Sequence, residues 1–107
     1  MTKIYFTLTG IAHYYGNDFM EPGMEVFLEK DPENEYDKEA ILVKMPGLGQ
    51  VGNVANSPYT VVGDSYSAGR MYDLIGDTAV GKVLYKLPKA TLCELVVEEE
   101  EPYHRPL

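Results

Sequence analysis

At 107 residues and 12.0 kDa the chain is the size of one domain, too short for the two-lobed architectures of most ATP- or dinucleotide-driven enzymes. Hydrophobic residues make up 45% and charged residues 24%, the balance of a globular chain with one modest core rather than of a disordered one. With Lys+Arg 9 against Asp+Glu 17, the net charge of -8 opposes any broad, nonspecific grip on a polyanion, so a nucleic-acid role requires a small, focused site.

Part of the imbalance is local, because Glu98 to Glu101 form an acidic run; setting aside residues 98–107 leaves 13 acids against 8 bases. We therefore read residues 1–97 as the folded unit and 98–107 as an acidic tail. Cys93 is the one cysteine, which rules out an intrachain disulfide and a disulfide-stapled secreted fold. The N-terminal run is alternating and broken by Gly10, unlike a signal-peptide core, and no stretch approaches the ~20 apolar residues of a membrane span. The expectation is a soluble, cytoplasmic chain.

In chain order, Ile4, Phe6 and Leu8 alternate with Tyr5, Thr7 and Thr9, the two-residue period of a half-buried strand, with extended character continuing to Tyr14 and Tyr15. Gly16, Asn17, Pro22 and Gly23 mark a turn-rich connection. Met24, Val26 and Leu28 alternate with Glu25, Phe27 and Glu29 as a second strand, acidic on its outer face apart from Phe27. Asp31 to Asp37 lacks apolar periodicity and is rich in bending and capping residues, which predicts a structured loop.

Ala40-Ile41-Leu42-Val43 reads as a strand buried on both faces, and Pro46-Gly47-Leu48-Gly49 turns it into Gln50 to Val54 as a hairpin. Residues 55–64 form a long polar connection of the kind that often carries function. Ala68, Met71, Tyr72 and Ile75 have the spacing of a helix, with Asp64 or Ser65 as N-cap and Gly76 as its stop. Ala79 to Leu87 and Thr91 to Val97 are two more strands. Six short strands and one helix predict a mainly β fold, a small barrel.

Several motifs look chemical without the context their chemistry needs. Gly47 to Gly52 spells G-x-G-x-x-G, but Asn53 to Pro58 do not open the helix whose N-terminus would hold a pyrophosphate. Gly76 to Val83 nearly spells a phosphate-binding loop, yet Val83 stands where the Mg²⁺-ligating hydroxyl is required. Asp31, Glu33, Glu35 and Asp37 alternate as in a calcium loop, but Tyr36 takes the glycine position and Leu42 that of the bidentate glutamate. His13, His104 and Cys93 have no zinc spacing, and no nucleophile and base pair is evident. We expect no metal, no cofactor and no catalysis.

What stands out is a cluster of aromatic and small polar residues in non-periodic segments: His13, Tyr14 and Tyr15, then Asn34, Tyr36 and Asp37. For any single tyrosine, packing at a barrel rim with its hydroxyl in water is the ordinary role. Several together make a stacking platform for nucleobases.

The order Gly10-Ile11-Ala12-His13-Tyr14-Tyr15-Gly16, then Asp31-Pro32-Glu33-Asn34-Glu35-Tyr36-Asp37 running on to Ala40-Ile41-Leu42-Val43, then Gly49-Gln50-Val51-Gly52, resembles the HIRAN domain family, with stand-alone members in bacteria and phages. The resemblance covers residues 4–97. It implies a small six-stranded barrel related to OB and SH3-like barrels that binds the free 3′ end of single-stranded DNA. On that basis Tyr14 and Tyr36 would sandwich the terminal base, Asp37 would accept a hydrogen bond from the 3′-hydroxyl, and Asn34 would help to read the end. A carboxylate accepts from a hydroxyl but repels a 3′-phosphate, so one acid confers end selectivity. Asp37 has a second reading, as a loop cap.

His13 stands where DNA-binding members place an arginine, and Asn53 and Asn56 where they place basic or imidazole groups; His13 and Asn53 complete the candidate set. The alternative is a protein-interaction adaptor whose acidic surface and Glu98 to Glu101 tail engage a basic partner. The helicase and RING modules that accompany this domain elsewhere are not in the chain.

Overall fold

The structure, a computed structural model, describes residues 2–97; the acidic tail at 98–107 lies outside the described residues. Strands β1 (Thr2–Thr9), β2 (Glu25–Lys30), β3 (Ile41–Met45), β4 (Gly49–Val54), β5 (Thr78–Leu87) and β6 (Ala90–Val97) close an antiparallel barrel in the order β1-β4-β3-β2-β5-β6. One short helix, α1 (Ala68–Tyr72), packs beside it. Among the described residues no helix is long and apolar enough to cross a membrane.

Alternation decides the core. Phe6, Leu8, Val26, Leu28, Ile41, Val43, Val51, Val83, Cys93 and Leu95 point inward and are buried. In β3 the expectation of burial on both faces fails, since Leu42 and Lys44 are only half-buried between buried Ile41, Val43 and Met45. β3 lies between β2 and β4 in a single-layered wall, so only one of its faces has a core to meet.

β1 and β4 meet only at Leu8↔Val54 and Thr9↔Asn53, which leaves much of this edge of β1 without a strand neighbour. The 55–67 connection fills that gap. Ala55 N–H donates to Thr7 O at 2.8 Å and Tyr66 N–H to Tyr5 O at 2.6 Å, so backbone acceptors on an open edge are satisfied. The connection also covers Thr7, which is fully buried although its position in the alternation points away from the core. Its hydroxyl accepts from Val62 N–H at 3.0 Å and shares a 2.9 Å hydrogen bond with Ser65 Oγ.

That pairing explains why Ser65 is not the helix cap. Ser67 caps instead, its Oγ accepting from Arg70 N–H at 3.2 Å, while Asp64 is exposed. The helix ends at Tyr72 rather than running to Gly76; Ile75 packs against the core from a bend, and its carbonyl accepts from Lys30 Nζ at 3.0 Å. The strand expected to reach Tyr15 stops earlier as well. Gly10, at φ 73, turns the chain into a 3₁₀ helix at Ile11–His13 that buries Ile11, whose carbonyl accepts from Tyr14 N–H at 3.0 Å and Gly16 N–H at 2.9 Å.

Candidate nucleic-acid interface

The loop between β2 and β3 holds three of the six candidate residues, and its shape comes from their own side chains. Asp31 N–H donates to Ala40 O at 2.9 Å, which closes the ends of the loop. Asn34 Oδ1 accepts from the N–H groups of Tyr36 at 2.9 Å and Asp37 at 3.0 Å, and Asn34 Nδ2 donates to Asp31 Oδ2 at 3.2 Å. This is the turn that asparagine builds most readily. It lifts the Tyr36 side chain into solvent, 95% exposed.

Asp37 is half-buried, and its two oxygens have different partners. Oδ1 accepts from Glu39 N–H at 2.9 Å, and Oδ2 accepts from Asn56 Nδ2 at 2.9 Å. The loop-cap role is therefore real. A carboxylate has about four lone-pair sites, so acceptor capacity remains on both oxygens.

His13 and Tyr14 lie on the turn after β1, together with Tyr15, and all three are exposed. Tyr15 Oη donates to Leu48 O at 3.3 Å, which ties this turn to the β3–β4 hairpin. Asn53, half-buried on β4, pairs with Thr9 on one side and Leu42 on the other. It thus sits between the strand that leads into the His13–Tyr14 turn and the strand that follows the Tyr36 loop, at about 4.8 Å per strand step. Its Oδ1 accepts from Gln50 Nε2 at 3.1 Å.

The candidates fall into two groups. Asn34, Tyr36 and Asp37 are joined by direct hydrogen bonds, His13 and Tyr14 share the other turn, and Asn53 stands between the roots of the two. Among the described residues no hydrogen bond links one loop to the other.

Four residues outside the candidate set belong to this region. Asn56 grips Asp37 through Nδ2 while its Oδ1 accepts from Gly69 N–H at 2.8 Å, so one side chain fastens the Tyr36 loop to α1. Beside it lies an open groove of about 310 Å³ bordered by Asn56, Ser57, Ser65, Ser67, Asp64 and Arg70. The Arg70 guanidinium lies 3.9 Å from the centroid of the Tyr66 ring, and Tyr66 is held to β1 by its backbone. Tyr59, in the same connection, is 96% exposed. Asn56 and Tyr59 fall in the long polar connection at 55–64, whereas nothing in the sequence singles out Tyr66 or Arg70, which lies in α1. Among the described residues no group of three His, Cys, Asp or Glu side chains is placed to hold a metal ion.

A model of the HIRAN domain family matches residues 1–62. No curated protein matches the chain. Among solved structures, the HIRAN domain of human HLTF is similar at a TM-score of 0.62 with 22% identity, over 87% of this chain and 72% of that one, a likeness of fold. The family match spans more than half of the sequence, including the Tyr36 loop and the β3–β4 hairpin, and the solved domain shares the barrel: the chain belongs to the HIRAN domain family.

Proposed function

We propose that this protein binds the 3′-hydroxyl end of single-stranded DNA on the Tyr36 loop. HIRAN domains bind single-stranded DNA, which gives the ligand class. The observation that carries the reading is Tyr36, a ring left 95% exposed on a loop whose backbone is fixed beneath it by Asn34. An ordered loop holding a bare aromatic face has already lost the entropy that binding would otherwise cost. Stacking of a base on such a face contributes ~1–3 kcal/mol.

In this reading Tyr14 offers the second face, Asp37 accepts from the terminal hydroxyl with its remaining lone pairs, and Asn34 acts by holding the loop. His13 and Asn53 flank the entry. The protein acts by binding, without catalysis of its own. Fluorescence anisotropy at low salt with matched oligonucleotides ending in a 3′-hydroxyl or a 3′-phosphate tests it: tighter binding of the hydroxyl end supports the proposal, and equal or undetectable binding of both overturns it.

A second reading has its own observation. Phe19, Met24, Phe27, Met45 and Leu48 border an apolar groove of about 400 Å³ beside Glu25, on a chain of net charge -8. Such a surface suits an apolar segment with basic flanks in a protein partner. Loss of oligonucleotide binding in the wild type, with a basic amphipathic peptide retained, would favour it.

A further inference from the structure

We infer that Arg70, stacked on Tyr66 beside the Asn56 groove, contacts the phosphate backbone of a strand whose end occupies the Tyr36 loop; this rests on the DNA-end reading above. A polyanion needs a cation at the site, because phosphate contacts supply most of the sequence-independent affinity. Asn53 and Asn56 are neutral and cannot supply it.

Of the seven described lysines four are engaged, while Lys38, in the Tyr36 loop itself, Lys82 and Lys89 have no ion pair. Lys44 pairs with Glu29 at 2.9 Å, Lys3 with Glu94 at 3.7 Å, Lys86 donates to Asp18 O at 3.2 Å, and Lys30 donates to Ile75 O while lying 4.5 Å from the Tyr72 ring centroid. Arg70 is the one arginine among the described residues, and no described carboxylate lies within ion-pair distance of it. Its guanidinium lies over the Tyr66 ring, 3.9 Å from the ring centroid. Stacking uses the face of a guanidinium and leaves its N–H edge free for a phosphate oxygen.

The position is built rather than incidental. Tyr66 N–H donates to Tyr5 O, Tyr66 bridges Phe6 of β1, and Ser67 Oγ caps Arg70 N–H, so both ring and helix are anchored. A continuous hydrogen-bonded path connects this place to the end site: Asp37 Oδ2 to Asn56 at 2.9 Å, then Asn56 Oδ1 to Gly69 at 2.8 Å, the residue before Arg70. Ser57 and Ser67 border the groove between them, while the Ser65 hydroxyl at its floor is held by Thr7 and Val62. Two acids temper the site. Asp64 borders the same groove, and Glu39 Oε1 lies 2.6 Å from where a Cβ on Gly69 would be.

The test is the salt dependence of oligonucleotide binding in wild type, Arg70→Ala, Arg70→Lys and Tyr36→Ala, with folding checked by circular dichroism. Each phosphate neutralised on a single strand contributes about -0.7 to the slope of log K against log salt. Arg70→Ala is expected to flatten the slope by about that amount and weaken binding up to about fivefold at low salt. Arg70→Lys is expected to keep the slope, and Tyr36→Ala to weaken binding with the slope unchanged. Asp64→Asn is expected to tighten binding. If Tyr36→Ala weakens binding while Arg70→Ala leaves the slope as in the wild type, the Arg70 assignment fails and the DNA-end reading stands. If the wild type binds no oligonucleotide, both fall.

Discussion

Asn56 donates from Nδ2 to Asp37 Oδ2 at 2.9 Å, joining a residue of the long polar connection to the acid beside the exposed Tyr36. Asn56 cannot turn its amide over to suit a changed partner, because its Oδ1 is already held by Gly69 N–H at 2.8 Å. Asp37→Asn therefore presents either two amide groups to one another or an unbonded Glu39 N–H. Urea denaturation should show a loss of about 1–3 kcal/mol. The same substitution removes the charge that opposes a 3′-phosphate, so the preference for a hydroxyl end should shrink. A variant that is destabilised yet keeps full end preference would leave Asp37 as a loop cap alone.

Tyr36→Ala separates binding from stability. The ring is 95% exposed, so its removal should change unfolding free energy by no more than ~0.5 kcal/mol. Affinity for a single-stranded end should fall by ~1–3 kcal/mol if a base stacks there, and Tyr36→Phe, which keeps the face, should bind as the wild type does. Titrations of the three proteins with one labelled oligonucleotide decide the matter.

The barrel was legible in the sequence because its strands obey the simplest rule available, one face in and one face out, as Ile4, Phe6 and Leu8 do in β1. The Tyr36 loop was legible for a related reason: Asn34 and Asp37 cap backbone N–H groups within five residues of themselves, so the information is local. What escaped the sequence depends on distant contacts. Ser65 has the chemistry of an N-cap, yet a threonine 58 positions earlier claims its hydroxyl and the cap passes to Ser67. Leu42 looks buried in an apolar run, and only the single-layered wall of the barrel exposes its face. Arg70 gains meaning from the ring of Tyr66 and from Asn56, neither of which its spacing reveals.

Gly52 carries a prediction about the barrel seam. A Cβ there would lie 2.6 Å from both Leu8 Cδ1 and Thr9 O, closer than any real contact allows, and one of those atoms is backbone. Gly52→Ala must push β4 away from β1 at a seam that holds only two paired positions. A loss of at least ~2 kcal/mol is expected in urea unfolding. Gly16→Ala is the contrast, since no atom lies within 4 Å of the added methyl and its cost comes from the φ of 69 alone. Equal destabilisation of the two variants would contradict the close approach at the seam.

Cys93 supplies a pH-dependent prediction. Its side chain is wholly buried in the barrel, and burial pushes the thiol pKa up from 9.0 to about 12. As pH rises through 9, the unfolded chain releases a proton that the folded chain still holds, so the thiol makes stability fall between pH 9 and about 12. The slope from this group approaches ~1.4 kcal/mol per pH unit within that window. Cys93→Ala removes the contribution at the cost of a small cavity, roughly 1 kcal/mol near neutral pH. Wild type should therefore be the more stable protein at pH 7, with the gap closing at about pH 10 and changing sign by pH 10.5. Subtracting the two urea-unfolding curves cancels the tyrosines and lysines that also titrate there. A gap that stays constant across this range would mean that the thiol ionises as readily in the folded barrel as in the open chain.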